Sequence, residues 1–234
     1  MLNIIQLTYN FFREKAAVAW KEAGRCVIVD PGCCSDEEKA DLLAHLEKEG
    51  LRPEAILLTH AHFDHIYGVK FLQDRFGIPV YMSADDKKTI EYVVSEMSDR
   101  FAVPVPDCSF KTTDIRDGEV LSCAGISFEV ISTPGHTPGG VCFLDREDKV
   151  MFSGDTLFAG AIGRTDLKYS DYDDEIRSIM EKLIFLDPDI TIYPGHGHRS
   201  TIGHERSHNP FLEPFNEEAE TSSDDVTPVI ISGN

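Results

Sequence analysis

Positive charge is scarce in this chain of 234 residues. Lysine and arginine number 22 against 41 aspartates and glutamates, which gives a formal net charge of −19. A surface of that sign repels the phosphates of nucleic acids and the headgroups of anionic lipids. We therefore expect neither a nucleic acid nor a membrane surface as a partner, and the charge also opposes a ribonuclease activity.

Long apolar runs and paired cysteine motifs are also missing. No run approaches the roughly 20 apolar residues that a helix needs to span a bilayer. The N-terminal stretch MLNIIQLTYNFFREK lacks the basic region, apolar core and small-residue cleavage site of a secretory signal. The 6 cysteines have no CxxC spacing, and several stand within apolar stretches, where cysteine acts as a small hydrophobic residue. We expect a cytoplasmic protein with reduced cysteines.

Helix-like and strand-like patterns alternate along most of the chain. The clearest helix follows Ser35, which has the S-x-x-E spacing of a capping box with Glu38, and it ends at Gly50. The other predicted elements are helices ending near Gly77 and over 84–97 and 171–186, and strands over 3–8, 16–20, 25–30, 54–59, 79–82, 118–121, 126–132, 141–144, 149–153 and 189–193. This alternation predicts an α/β layered domain over residues 1–212, and the acidic stretch 213–234 is expected to be a tail.

The most informative stretch is HAHFDH at 60–65, which directly follows an apolar run. His60 and His62 point to the same side of an extended chain, because side chains alternate with a period of two. Once the chain turns into a helix, Asp64 and His65 approach from a second direction. Imidazole nitrogens suit zinc and iron, and a carboxylate adds a harder oxygen donor. This strand-to-helix junction is therefore predicted to supply up to four metal ligands.

Three further ligand-type side chains each follow a predicted strand within a turn of glycines and prolines. They are His136 in TPGHTPGG, Asp155 in SGDT and His196 in PGHG. Glycine permits sharp turns and close backbone approach, and loops at strand ends are where rigid scaffolds place functional groups. Together with HAHFDH, these residues predict a site of seven metal ligands. His198 is an alternative to His196, but the glycines on both sides favour His196.

In their order along the chain, these residues resemble the metal-ligand set of the metallo-β-lactamase superfamily. The DPG sequence at 30–32 matches a weaker signature of the same family. The resemblance implies a four-layer αββα sandwich with the metal site at the edge between the two sheets. It implies one metal bound by His60, His62 and His136, a second bound by Asp64, His65 and His196, and both bridged by Asp155 and a hydroxide.

Within the superfamily, GDTLFAGAIGRTDL at 154–167 is similar to the glyoxalase II-like hydrolases, also called hydroxyacylglutathione hydrolases. Glyoxalase II itself carries a helical C-terminal domain that supplies much of its glutathione-binding surface, and this chain resembles a subgroup without it. The resemblance implies a binuclear hydrolase of small-molecule thioesters such as S-lactoylglutathione, or of related acidic thiol conjugates. The expected cofactors are two divalent ions, with zinc ahead of iron and manganese.

Roles can be assigned to four side chains on this basis. Asp64 and Asp155 are the candidate catalytic residues. Arg164 is the candidate contact for a substrate carboxylate, because a guanidinium group can bind a carboxylate bidentately, and Lys168 is a second candidate. For both basic residues, a salt bridge to one of the many nearby acids is the alternative interpretation.

Two other functions remain open at this point. A persulfide dioxygenase shares the fold and is similar to the chain around GRTD at 163–166; such enzymes hold one iron by two histidines and an aspartate, and His62, His136 and Asp155 are the candidates here. A non-catalytic metal-binding module is the second alternative, although a closed structural zinc site needs only four ligands and commonly uses cysteine. Seven nitrogen and oxygen ligands favour the binuclear hydrolase.

Overall fold

The computed structural model describes residues 1–213, so the predicted tail 213–234 lies outside them except for its first residue. The strands of this part are β1 (Asn3–Tyr9), β2 (Glu14–Trp20), β3 (Arg25–Val29), β4 (Arg52–Leu57), β5 (Val80–Ser83), β6 (Thr113–Ile115), β7 (Val120–Cys123), β8 (Ile126–Ser132), β9 (Val141–Asp145), β10 (Val150–Gly154), β11 (Leu157–Phe158), β12 (Ala161–Ile162), β13 (Thr191–Pro194) and β14 (Ser200–Thr201). The helices are α1 (Asp36–Lys48), α2 (Phe63–Ile66), α3 (Val69–Phe76), α4 (Lys87–Tyr92), α5 (Ser98–Phe101), α6 (Tyr172–Ser178) and α7 (Ile202–His208).

Two six-stranded sheets form the centre of the fold. The first has the strand order β1-β2-β3-β4-β5-β6, and the second has the order β14-β13-β10-β9-β8-β7. Successive side chains of an inner strand face opposite sides of its sheet. In β3, Val27 and Val29 belong to the core between the sheets, whereas Cys26 and Ile28 belong to the core beneath the helices. Both faces of the first sheet are therefore covered.

The layers follow the order helix, sheet, sheet, helix. Between the sheets, Phe128 packs against Phe143 and Phe152 with ring centroids 6.4 and 6.1 Å apart. Buried side chains of α1, α3 and α4 cover the outer face of the first sheet, and those of α6, α7 and the π-helical turn Ile179–Leu183 cover the second. The predicted αββα sandwich is confirmed. No helix within residues 1–213 has both the length and the apolar character needed to cross a bilayer.

The element boundaries predicted from the sequence differ from the structure at several turns. The helix predicted to end near Gly77 is two helices, α2 and α3, which are separated at Gly68. A Cβ on Gly68 would lie 2.4 Å from Cys33 Sγ and 2.8 Å from the Pro31 carbonyl oxygen, so only glycine fits there. The predicted helix 84–97 begins as a 3₁₀ turn, becomes α4 and continues through a π-helical turn into α5.

Several short elements were not predicted from the sequence. They are β6, the hairpin β11–β12, and the C-terminal pair of β14 and α7. The hairpin strands have two residues each, which is too short for a period-two pattern to be recognised. This hairpin nevertheless contributes to the wall of the metal cavity described below.

The capping box at the start of α1 is present and also ties down neighbouring turns. Ser35 Oγ accepts a hydrogen bond from the Glu38 amide at 3.1 Å, and the Glu38 carboxylate accepts one from the Ser35 amide at 3.2 Å. The same carboxylate accepts hydrogen bonds from the amides of Asn10 at 2.6 Å and Cys34 at 2.7 Å. The first turn of α1 therefore holds the β1–β2 turn against the loop that follows β3.

Glu38→Ala should lower the free energy of unfolding by about 2 kcal/mol, because hydrogen bonds to a charged group contribute about 1.5–3 kcal/mol. Glu37 precedes it on the same turn but is exposed, and Glu37→Ala should lower the free energy of unfolding by much less. Urea denaturation of the two variants measures the difference. Equal losses would contradict the special role of Glu38.

Candidate metal centre

The seven predicted ligands meet at one end of the two sheets. His60 and His62 follow β4, and Asp64 and His65 lie in α2. His136 lies in the loop between β8 and β9, while Asp155 and His196 follow β10 and β13. Since β10 and β13 are neighbouring parallel strands, their carboxyl ends, and the residues that follow them, lie side by side.

His60, His62 and His136 form a first group, in which one nitrogen from each ring lies within 4.8 Å of the others. His62 Nδ1 is 2.9 Å from His136 Nε2. Burial, and then the nearby His136, lower the pKa of His62 to about 3; burial, reinforced by His65, lowers the pKa of His60 well below its usual value. Both rings are therefore neutral at physiological pH, and each keeps a nitrogen lone pair for a cation.

Asp64, His65 and His196 form a second group with the same spacing, again with ligand atoms within 4.8 Å of one another. His196 Nε2 lies 3.3 Å from Asp64 Oδ2, and His65 Nε2 lies 3.9 Å from the same oxygen. His198 is exposed and belongs to neither group. His196, which the flanking glycines favoured over His198, is thus the histidine that lies in the second group.

Asp155 lies between the two groups. Its Oδ1 is 3.4 Å from His65 Nε2, and its Oδ2 is 3.5 Å from His136 Nε2 and 3.6 Å from His196 Nε2. Gly195 permits this position, because a Cβ there would lie only 2.4 Å from Asp155 Oδ1. One carboxylate therefore faces ligands of both groups.

The electrostatics of the site favour bound cations. Burial alone would raise the pKa values of Asp155 and Asp64, but the nearby histidines, foremost His65 and His196, together outweigh it. The pKa of Asp155 is therefore held well below its usual value, and that of Asp64 is also lowered. Buried atoms without a hydrogen-bond partner include Nε2 of His60, His62 and His65 and Oδ1 of Asp155. Unpaired buried polar atoms are costly. Divalent cations that bind nitrogen and oxygen would satisfy them, so the residues fit a metal centre.

Contacts on the far side of three rings orient their Nε2 atoms towards the centre. His136 Nδ1 donates to the carbonyl oxygen of Arg164 at 2.9 Å, and His196 Nδ1 donates to that of Phe12 at 3.0 Å. His65 Nδ1 donates to the Asp30 carboxylate at 3.1 Å. Such partners fix the tautomer and the ring orientation of a metal-binding histidine.

Asp86 is a buried carboxylate that joins the loops of the first group. It accepts hydrogen bonds from the Ala61 amide at 2.7 Å, the Gly139 amide at 2.9 Å, and the hydroxyls of Thr89 and Thr137 at 3.0 and 3.1 Å. Ala61 stands between His60 and His62, and Thr137 follows His136 directly. Asp86 was not predicted from the sequence, because it looks there like an ordinary acid at the start of an exposed helix.

Glu175 and Asp30 hold two further parts of the site. Glu175 accepts hydrogen bonds from the amides of His136 at 2.7 Å and Gly163 at 3.2 Å, and burial raises its pKa to about 8. Asp30 accepts from the Thr59 amide at 2.8 Å. Glu175 was also missed, since nothing in DYDDEIR distinguishes it from the adjacent acids.

The two predicted substrate contacts are both ion-paired. Arg164 lines the metal cavity, but its Nε and Nη2 donate to the two carboxylate oxygens of Asp166, each at 2.8 Å. Lys168 pairs with Glu96, and its ammonium group lies 5.2 Å from the centre of the Tyr92 ring. Among the described residues, Lys168 is not part of the cavity wall.

The metal groups open into a cavity of about 350 Å³. Five ligands contribute to its wall, and Arg164 lies at its edge with about half of its side chain exposed. The rest of the wall is apolar and consists of Phe12, Phe63, Met97, Phe101, Phe158, Ala161, Ile162 and Leu167. The volume lies within the usual range of small-molecule sites.

The αββα fold and a site of clustered histidines and aspartates are those of a family of metal-dependent hydrolases. The sequence profile of the Metallo-beta-lactamase superfamily matches residues 15–196, and the chain belongs to that superfamily. The family membership expected from HAHFDH and the later ligands is thereby confirmed.

Individual relatives cover nearly all of the chain. Hydroxyacylglutathione hydrolase GloC of Haemophilus influenzae is 37% identical over 216 residues, which are 90% of this chain and 98% of that protein. The crystal structure of BLEG-1 B3 metallo-beta-lactamase has a TM-score of 0.83 and 37% identity, covering 90% of this chain and 99% of that one. That of TTHA1623 in a di-iron-bound form has a TM-score of 0.79 and 36% identity, covering 89% and 100%.

Asp86→Ala should weaken metal binding about 10- to 100-fold, the usual effect of removing a group that supports metal ligands. Asp85 is its exposed neighbour, and Asp85→Ala is the matched control. Competition with a chromophoric chelator measures the affinities, and circular dichroism checks that both variants fold. Equal affinities in the two variants would refute a supporting role for Asp86.

Proposed function

We propose that this protein is a binuclear metal-dependent hydrolase of thioesters. The observation that carries the proposal is the position of Asp155, whose two oxygens face ligands of both groups at 3.4–3.6 Å. A carboxylate in that place suits a bridge between two cations. The di-iron-bound form of TTHA1623 and the hydroxyacylglutathione hydrolase GloC support two metals and a thioester substrate, respectively.

Two bound divalent ions would supply Lewis acidity to a substrate carbonyl and an activated water molecule. The chain contributes ligands that keep the required protonation state: neutral His60 and His62, and ionised Asp64 and Asp155. Asp64 also lines the cavity, where its carboxylate can take up a proton as water attacks. A thiolate is a good leaving group and does not need a general acid. This fits the cavity wall, in which the described residues include no buried general acid beyond the proposed metal ligands.

The remaining parts of the proposal concern the metal, the location and the domain. Imidazole and carboxylate donors suit zinc, which we propose ahead of iron and manganese. All 6 cysteines lie within residues 1–213 and are unpaired, which supports a reducing, cytoplasmic location. The sandwich and α7 support a single domain over residues 1–212.

Purified protein should carry about two equivalents of zinc, iron or manganese and should cleave S-lactoylglutathione or another thioester. Asp155→Ala should remove activity and much of the bound metal, because it deletes the group between the two sites. Asp189→Ala changes an exposed aspartate paired with Lys149 and should change neither. Elemental analysis and thiol release measure the two effects.

Three results would contradict this proposal. Unchanged metal content in the Asp155→Ala protein would reject the bridging role. One iron per chain, with oxygen consumption on glutathione persulfide, would replace the hydrolase by a persulfide dioxygenase. Because BLEG-1 is named as a lactamase, a β-lactam belongs in the substrate panel, and preferential cleavage of the lactam would reject thioesters as the main substrates.

Arg164→Ala should raise KM for an acidic thioester up to about fivefold, the effect of one partly exposed charge pair. Lys168→Ala tests the second predicted contact and should have a smaller effect, since that ammonium group is paired with Glu96 away from the cavity. Steady-state kinetics with one acidic thioester compares the two. An unchanged KM in the Arg164→Ala enzyme would leave that residue with only its salt bridge to Asp166.

A further inference from the structure

We infer that the metal cavity selects thioesters whose acyl group is uncharged and apolar, with the size of an aromatic ring or a branched chain. The inference rests on the proposed function and names the substrate class of the same site. The supporting observations come from the cavity wall outside the metal ligands, and apart from Phe63 this wall lies outside the ligand motif HAHFDH.

Three aromatic rings from separate elements form one side of this wall. Phe12 lies in the β1–β2 turn, Phe63 in α2 and Phe101 in α5. Their ring centroids are 4.9 Å apart for Phe12 and Phe63, 5.9 Å for Phe12 and Phe101, and 5.7 Å for Phe63 and Phe101. Such tilted and edge-on contacts are favourable among aromatic rings, and a further ring can join the cluster.

The rest of the apolar wall consists of Phe158 and four aliphatic residues, of which three are buried. Met97 and Ile162 are 3% and 8% exposed, and Leu167 is 8% exposed. Phe158 of the β11–β12 hairpin lies 6.4 Å from the ring of His196, so apolar surface reaches the metal ligands themselves. A cavity of about 150 Å³ lined by such residues can hold benzene. A volume of about 350 Å³ therefore has room for a ring-sized acyl group beside the metal groups.

Charge on the wall opposes an anionic acyl group. Apart from the metal ligands, Arg164 is the one charged residue among the described residues of the wall, and Asp166 already neutralises it. A second carboxylate buried in the cavity would lose its hydration without gaining a free counter-ion. Arg164 stands at the half-exposed edge, so a charged thiol portion can still meet it there while the acyl group lies inside.

A series of thioesters with one thiol, N-acetylcysteamine, tests the acyl preference of the metal-loaded enzyme. From acetyl to isovaleryl or phenylacetyl, kcat/KM should rise about tenfold or more, the usual effect of added apolar groups in a hydrophobic pocket. The succinyl thioester, with its free carboxylate, should be at least about tenfold poorer than isovaleryl. Equal rates across the series, or a preference for succinyl, would overturn the inference while leaving a thioester hydrolase.

Replacing one ring and its exposed neighbour provides a matched pair of variants. Phe12→Ala should reduce the phenylacetyl-over-acetyl preference about tenfold, measured as the ratio of the two kcat/KM values in the same protein. Phe11 is 81% exposed and is absent from this wall, so Phe11→Ala should keep the full preference. If circular dichroism shows that Phe12→Ala folds poorly, the single variants Phe12→Leu and Phe101→Leu are measured in its place. The assignment of Phe12 to the acyl site would be contradicted if Phe11→Ala lost the preference while Phe12→Ala kept it.

Binding without turnover separates this inference from the proposed function. Benzyl mercaptan and mercaptosuccinate both offer a thiol to a bound metal, but only the first carries an aromatic ring and no carboxylates. By calorimetry, the metal-loaded protein should bind benzyl mercaptan at least about tenfold more tightly, and Phe12→Leu should reduce that ratio. If this holds while no thioester is cleaved, the hydrolase proposal fails and the apolar selection stands. Equal or reversed affinities refute the selection itself.

Discussion

Hydrogen bonding of loop amides to buried carboxylates is the interaction on which the metal centre depends. A metal site needs several loops held in fixed relative positions, and loops at sheet ends have no regular pairing of their own. Asp86 accepts hydrogen bonds from the loop that carries His60 and His62 and from the loop that carries His136. Glu175 accepts a hydrogen bond from the amide of His136. Asp30 accepts a hydrogen bond from the amide of Thr59, which lies in the segment that follows β4. Each acid accepts several hydrogen bonds, which offset part of the cost of its burial, although burial still raises the pKa values of Asp86 and Glu175.

The two sheets are also joined by backbone hydrogen bonds close to this centre. The Val141 amide at the start of β9 donates to the Thr59 carbonyl oxygen at 2.8 Å, next to His60. The Lys15 amide of β2 donates to the Gly195 carbonyl oxygen at 2.8 Å, next to His196. Each bond connects a strand of one sheet to a ligand-bearing loop of the other. The centre therefore lies where the halves of the sandwich are fixed to one another, and sheet packing and ligand geometry cannot vary independently.

The sequence was sufficient for the layered architecture and for identifying the seven side chains that cluster at the site, because both leave local signals. Alternating apolar residues marked most strands, and HAHFDH with its flanking strand marked the first four ligands. It was insufficient for Asp86 and Glu175, whose roles depend on amides 12 to 53 positions away in the chain. An acid that accepts such long-range hydrogen bonds looks like any surface acid in the sequence. The π-helical turns and the two-residue strands were missed for the related reason that tertiary packing, and not local propensity, fixes them.

The residues that would bind metal and the residues that would contact the substrate differ in the same way. The ligands that would bind metal occupy short motifs at strand ends, and they determine what kind of bond the site can attack. The apolar wall comes from the β1–β2 turn, from α2, from Met97 and α5, and from the β11–β12 hairpin with Leu167 after it. Apart from Phe63, these parts lie outside the ligand motifs. The amides that Asp86 and Glu175 hold belong to other residues, so the side chains of Phe12, Met97 and Phe101 can change without removing those hydrogen bonds. One metal scaffold can therefore serve different substrates, and in this chain the rings around Phe12 are the part of the structure that bears on the choice.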